Sequence, residues 1–166
     1  MILSDREIRG LVEYKGLISD FVDIEMQLQP AGFDLTLDSI QIIKPGEWGR
    51  LDFSNNERII PHCYDVPKEN GGWALAPGTY ILKSKEKVNL PNGISGLAWP
   101  RSSLNRCGAF LNSATIDPGY SGSLSFLLQV LVSLRLEDAA RFAQIIFVRT
   151  HLSEKLYGGI YKEKST

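Results

Sequence analysis

The sequence predicts an all-β sandwich or barrel behind one short helix. Two observations carry this prediction. After residue 17, short runs rich in β-branched and aromatic residues alternate with clusters of Gly, Pro and Asn. That is the punctuation of many short strands. No strand–helix alternation accompanies it, so nothing points to a parallel sheet. The 166 residues fit one domain, and 43% apolar residues suffice for a packed core.

The elements follow in order. "LSDREIRGLVEYKG" opens with Ser4 as a cap and Glu7 three residues on, the pattern of a capping box. Ile8, Leu11 and Val12 fall on one face, and Gly16 is a stop. This helix reads as packing without chemistry of its own. "FDLTLDSIQII" (33–43) alternates in its first half, as a half-buried strand does. "PKENGG" (67–72) is a loop. Further strands are expected in 79–91, 95–100, 121–136 and 141–149. The tail "YGGIYKEKST" has two glycines, then charge, and no periodicity. A folded unit over 1–156 and a mobile tail over 157–166 are therefore expected.

Composition narrows the function. Eighteen Lys and Arg against 19 Asp and Glu give a net charge of −1. No global basic field marks a nucleic-acid binder, so an anionic ligand must be held by a local cluster. Cys63 and Cys107 match no metal spacing, and His62 and His151 are too isolated for zinc. The sequence has no signal-peptide pattern and no long apolar run. The expectation is a cytoplasmic protein without a membrane partner.

Four stretches stand out. "QPAGFDL" (29–35) sets Asp34 just inside a strand, after a flexible Ala-Gly. "PRSSLNRCG" (100–108) gathers Arg101, Ser102, Ser103 and Arg106, donors that suit phosphate oxygens. Ser102-Ser103-Leu104 can also begin a helical turn, whose N-terminus favours an anion. Taken alone, the same stretch also reads as a solvated turn with surface arginines, since short Arg/Ser clusters are common. In "NSATIDPGYSG" (112–122), Asp-Pro-Gly is strong turn chemistry. Yet Asp117 beside Tyr120 can also orient and deprotonate a water over an aromatic floor. In "RFAQIIF", Arg141 and Gln144 interrupt an apolar run, and the Gln144 amide serves either a neighbouring backbone or a phosphate. Tyr161, in the tail, is either a plain exposed aromatic or a lid residue.

Taken together and in this order, the four stretches resemble the trimeric dUTPase and dCTP deaminase superfamily, its archaeal, deaminase-like branch above all. The resemblance covers residues 27 to 149 and continues weakly through the tail. It implies a distorted jelly-roll β-sandwich, the dUTPase-like β-clip, assembled as a homotrimer with active sites at subunit interfaces. By position, Asp34 would support magnesium through water. Arg101, Ser102, Ser103 and Arg106 would bind phosphate. Asn112 and the stretch to Thr115 would read the pyrimidine edge. Asp117 would activate water, and Tyr120 would lie under the deoxyribose. Gln144 would contact phosphate, Tyr161 would stack over the ligand, and Lys162 or Lys164 would stand in for the arginine of the glycine-rich tail motif.

The superfamily holds two chemistries. Its deaminases carry a glutamate on the strand after the "IDPG" turn, and in that register this chain has Leu127. A leucine transfers no proton, and losing a general acid–base costs on the order of 10²–10⁴-fold. The resemblance thus implies hydrolysis of dUTP to dUMP and pyrophosphate, with Mg²⁺ bridging the triphosphate. A dCTP deaminase and a non-catalytic nucleotide-binding sandwich are the alternatives. Val130 stands where the family usually has an asparagine, and the usual glycine before "RFAQIIF" is missing.

Overall fold

The computed structural model describes residues 1–162. The N-terminal helix α1 (Asp5–Lys15) forms as expected. The Ser4 hydroxyl accepts the Glu7 N–H at 3.4 Å, and Glu7 accepts the Ser4 N–H at 3.0 Å. Gly16 ends the helix at φ 62°, the left-handed conformation that glycine enters without a Cβ penalty. Ile8 and Val12 are buried.

The remainder is almost entirely antiparallel sheet. In chain order come β1 (Ile18–Ser19), α2 (Ile24–Gln27), β2 (Leu28–Gln29), β3 (Gly32–Ile43), β4 (Cys63–Asp65), β5 (Gly72–Leu75) and β6 (Gly78–Asn89). Then follow β7 (Ile94–Pro100), α3 (Ser102–Arg106), β8 (Ala109–Asn112), β9 (Ser121–Val130), β10 (Leu134–Glu137) and β11 (Arg141–Arg149). The main path runs β7-β11-β3-β6-β9-β8, and β10 pairs with β5 in a separate ribbon.

Strand β3 belongs to both halves. Its residues 33–36 pair with β11, and its residues 37–41 pair with β6. A strand that changes partners partway makes the corner between two packed sheets. Gly32 through Leu37 are accordingly buried on successive positions, with no alternation to solvent. Phe33, Leu35, Phe142, Ile145 and Phe147 fill the core beside this corner. A Cβ on Gly32 would lie 2.6 Å from the Ile145 carbonyl oxygen. The Ala-Gly step is therefore a close strand approach and not a flexible joint.

Two further expectations change. The 121–136 run is not one strand: Leu131–Ser133 turn the chain from β9 into β10, which leaves its neighbour to pair with β5. The 44–62 segment forms an arm. Arg50 and Ile59 exchange backbone hydrogen bonds at 3.0 and 2.9 Å, and Lys44 N–H donates to the His62 carbonyl at 2.8 Å. At its tip the Asp52 carboxylate accepts the N–H groups of Ser54, Asn56 and Glu57, each at 3.2 Å. Among the described residues, no helix is long and apolar enough to cross a membrane.

Candidate active site

The Asp117 stretch is a tight turn. Tyr120 N–H donates to the Asp117 carbonyl at 3.1 Å, and Gly119 has φ 87°. Proline at the second position and positive φ at the third define a type II turn. The turn hands the chain to β9 and leaves the Asp117 side chain exposed. That carboxylate makes no hydrogen bond or ion pair with any described residue, so both oxygens can accept from a ligand or a water. The Tyr120 hydroxyl donates to the Ser123 carbonyl at 2.6 Å, which fixes the ring beside the turn.

Asp117 and Tyr120 line a cavity of about 700 Å³, the size range of small-molecule sites. Thr115 and Tyr161 share the lining, and so do Lys83 and Tyr157. The tail closes one side. Tyr157 N–H donates to the Pro118 carbonyl at 2.8 Å, and its ring meets Tyr120 edge-on at 5.3 Å. Lys162 donates its N–H to the Gly159 carbonyl, and its side chain is not on the lining. Lys164 lies outside the described residues.

The anion-suited residues gather elsewhere. Asp34 is 1% exposed. Its Oδ2 accepts from Arg101 Nε at 3.2 Å and Arg141 Nη1 at 3.3 Å, and its Oδ1 from the Gln144 amide at 3.1 Å. Asp34, the residue expected to support magnesium through water, is held on the protein side by other groups. The carboxylate faces two guanidinium groups and an amide, and it orients them. Two arginines against one carboxylate leave the cluster positive. Ser102, Ser103 and Arg106 are exposed on α3 close by in sequence. Asn112, at the end of β8, is exposed and off the cavity. None of Arg101, Ser102, Ser103, Arg106 and Gln144 lines the cavity that holds Asp117. Among the described residues no group of three or more His, Cys, Asp or Glu is placed to hold a metal ion.

A β-bulge brings Arg141 into this cluster. Arg141 and Gln144 are three apart, and a regular strand would send them to opposite faces. The β11–β3 register shifts between Arg141 and Ala143, so Arg141 stands opposite Thr36 and Gln144 opposite Asp34. Both then reach the same carboxylate. Behind Asp34, the Gln27 amide donates to the Asp34 carbonyl and to the fully buried Glu86, at 2.8 and 2.7 Å. Glu86 also accepts the Thr36 N–H at 2.8 Å.

Comparison with known proteins places this geometry. The model of the dCTP deaminase-like family matches residues 2–150. The chain belongs to the dCTP deaminase-like family. Within it, a probable deoxyuridine 5'-triphosphate nucleotidohydrolase of Archaeoglobus fulgidus is 41% identical over 97% of this chain and 95% of its own. The deoxyuridine 5'-triphosphate nucleotidohydrolase of Methanocaldococcus jannaschii is 40% identical, over 83% of this chain and 88% of its own. The crystal structure of the 2'-deoxycytidine 5'-triphosphate deaminase from Agrobacterium tumefaciens superposes with a TM-score of 0.69 at 26% identity. The match covers 90% of this chain and 48% of that one, so this chain spans about half its length. Strand β9 of this chain carries no acid: it reads SGSLSFLLQV, with Leu127 38% exposed. Tyr157 and Lys83 are the site residues that the motifs did not single out, and Arg141 stood out only as a break in an apolar run, with no role attached. A tyrosine just before the Gly158-Gly159 pair was the one local signal for the first two.

Proposed function

We propose that this chain hydrolyses dUTP to dUMP and pyrophosphate. The observation that carries the reading is the unengaged, exposed carboxylate of Asp117, held by a type II turn beside Tyr120 on a cavity of nucleotide size. The names of the archaeal relatives, similar over nearly the whole chain, support it.

In this mechanism Tyr120 supports the deoxyribose, and its closely packed ring leaves little space for a 2'-hydroxyl. The stretch after Asn112, Ser113 to Thr115, faces the pyrimidine edge from the cavity lining. Asp117 takes a proton from the water that attacks the α-phosphorus. Arg101, Ser102, Ser103, Arg106 and Gln144 receive the phosphates, and the Asp34 carboxylate holds Arg101 and Gln144 in place. A magnesium ion bound with the triphosphate would supply charge neutralisation at the leaving pyrophosphate.

The phosphate cluster and the Asp117 cavity are separate within one chain. A second copy, in a homotrimer, is the natural source of the missing half. The tail from 157 acts as the lid, with Tyr157 and Tyr161 over the cavity. The unit it closes is the body of residues 1–156, working in the cytoplasm.

Deamination of dCTP is the second reading, favoured by the description of the family. The acid-free β9 opposes it, since Leu127 stands where a deaminase needs its proton carrier. The deciding experiment supplies dUTP and dCTP, with and without magnesium, and detects pyrophosphate and ammonia separately. Pyrophosphate from dUTP without ammonia from dCTP is expected. Ammonia would restore the second reading, and silence on both substrates would leave a binding module. Asp117→Asn is expected to keep nucleotide binding while hydrolysis falls about 10²–10⁴-fold. Unchanged turnover would remove Asp117 from the mechanism.

A further inference from the structure

The cavity has two distinct ends. Its β9 wall runs away from the Asp117–Tyr120 turn, from Ser123 to Phe126. Four strand residues, three steps of about 3.3 Å, make this wall roughly 10 Å long. If Tyr120 supports the sugar, the base lies toward the far end. That end is lined by Ile43, Ile60, Ile81 and Phe126, with Cys63. One charged side chain stands among them, Lys83, the Cα partner of Ser125 across the β6–β9 ladder. Among the described residues, Lys83 is the only cation on the lining and Asp117 the only carboxylate, at the opposite end. The Lys83 ammonium makes no hydrogen bond or ion pair with any described residue.

We propose that Lys83 is a specificity-determining residue that selects a pyrimidine with a keto oxygen at C4 over one with an amino group there. The inference rests on the reading that this cavity takes a deoxyuridine nucleotide. An ammonium group has three donors and no acceptor. The C4 oxygen of uracil accepts from it. The C4 amino group of cytosine turns its own N–H groups toward it, and two sets of donors are then left unsatisfied against an apolar wall. The hydroxyls of Ser123 and Ser125 both donate and accept, so they do not separate the two bases. The selection is thus by charge and by donor–acceptor sense, and it adds to whatever the 113–115 backbone reads.

The test uses the full-length chain as wild type, Lys83→Met and Lys83→Arg. Calorimetry gives the Kd of dUMP and dCMP, and pyrophosphate release gives kcat/KM for dUTP and dCTP. The wild type is expected to prefer the uracil nucleotide in both. Lys83→Met should lower that preference about 10- to 100-fold, whereas Lys83→Arg, which keeps the donors, should retain most of it. An undiminished preference in Lys83→Met overturns the proposal. So does parallel weakening of dUMP and dCMP, which would make Lys83 a phosphate contact. A wild type that binds both mononucleotides equally, or neither, also overturns it. A wild type that prefers dUMP but releases no pyrophosphate from dUTP would refute the hydrolase reading and leave the selection by Lys83 standing.

Discussion

At Gly119 two demands meet in one residue. Its φ of 87° suits glycine, and a Cβ there would lie 2.7 Å from Leu156 Cβ, just before the residue that bonds Pro118. Gly119→Ala is therefore expected to cost about 1–3 kcal/mol and to unseat Tyr157. Urea unfolding of the two proteins checks the first effect, and an unchanged midpoint would refute it. Ala139, with φ 52°, occupies the same left-handed region without being glycine. Single residues were legible in the sequence when their role was local. Asp117 and Gly119 announce their turn, because turn chemistry needs only four neighbours. Asp34 is different: its partners lie 67, 107 and 110 positions away, at Arg101, Arg141 and Gln144. Arg141 was hidden further by the bulge, since strand parity assigns it to the wrong face. Lys83 reads in sequence as one of three exposed lysines at every second position, and only strand pairing puts it at the cavity.

Among the elements, α1 was readable end to end, because capping box, apolar stripe and terminal glycine are all contained in it. β8 and the β5–β10 ribbon were not, because their stability comes from strands far along the chain. The 44–62 arm was unmarked as well. It is held by Glu47, which accepts the His62 N–H at 2.8 Å and pairs with Lys44 at 3.0 Å. The His62 backbone N–H, Lys44 and the His62 ring together pull the Glu47 carboxyl from the usual 4.5 down to about 2. A depressed carboxylate stabilises the folded arm fully above about pH 4.5, and that contribution is lost as pH falls through about 2. Exchange protection of the His62 amide, measured from pH 6 down to 2 and corrected for intrinsic rates, should fall over this range. Glu47→Gln should flatten the profile, and a flat profile in the wild type would remove Glu47 as the clasp.

At the scale of the whole molecule, the all-β class was evident from punctuation alone, and the split of the candidate site was not. Sequence order places "PRSSLNRCG" and "NSATIDPGYSG" side by side, whereas the fold keeps the first off the cavity of the second. If a second copy completes each site, two defective chains should repair one another. Asp117→Asn and Ser102→Ala chains, each inactive alone, are mixed in equal amounts, unfolded together and refolded. Random assembly in a closed ring would leave both intact halves at about one site in four. Pyrophosphate release at about that fraction of wild type is expected, and none at all would confine the site to one chain. Strand β3 has one more consequence. It carries Asp34 while paired with β11, and a few residues later it braces β6, the strand of Lys83. An inserted residue there would reverse the facing of side chains in two sheets at once. The 44–62 arm closes on its own hydrogen bonds and carries no such double duty. Room for the chain to grow or shrink, by evolution or by grafting a foreign loop, is therefore concentrated at the arm's tip, while β3 must keep its length.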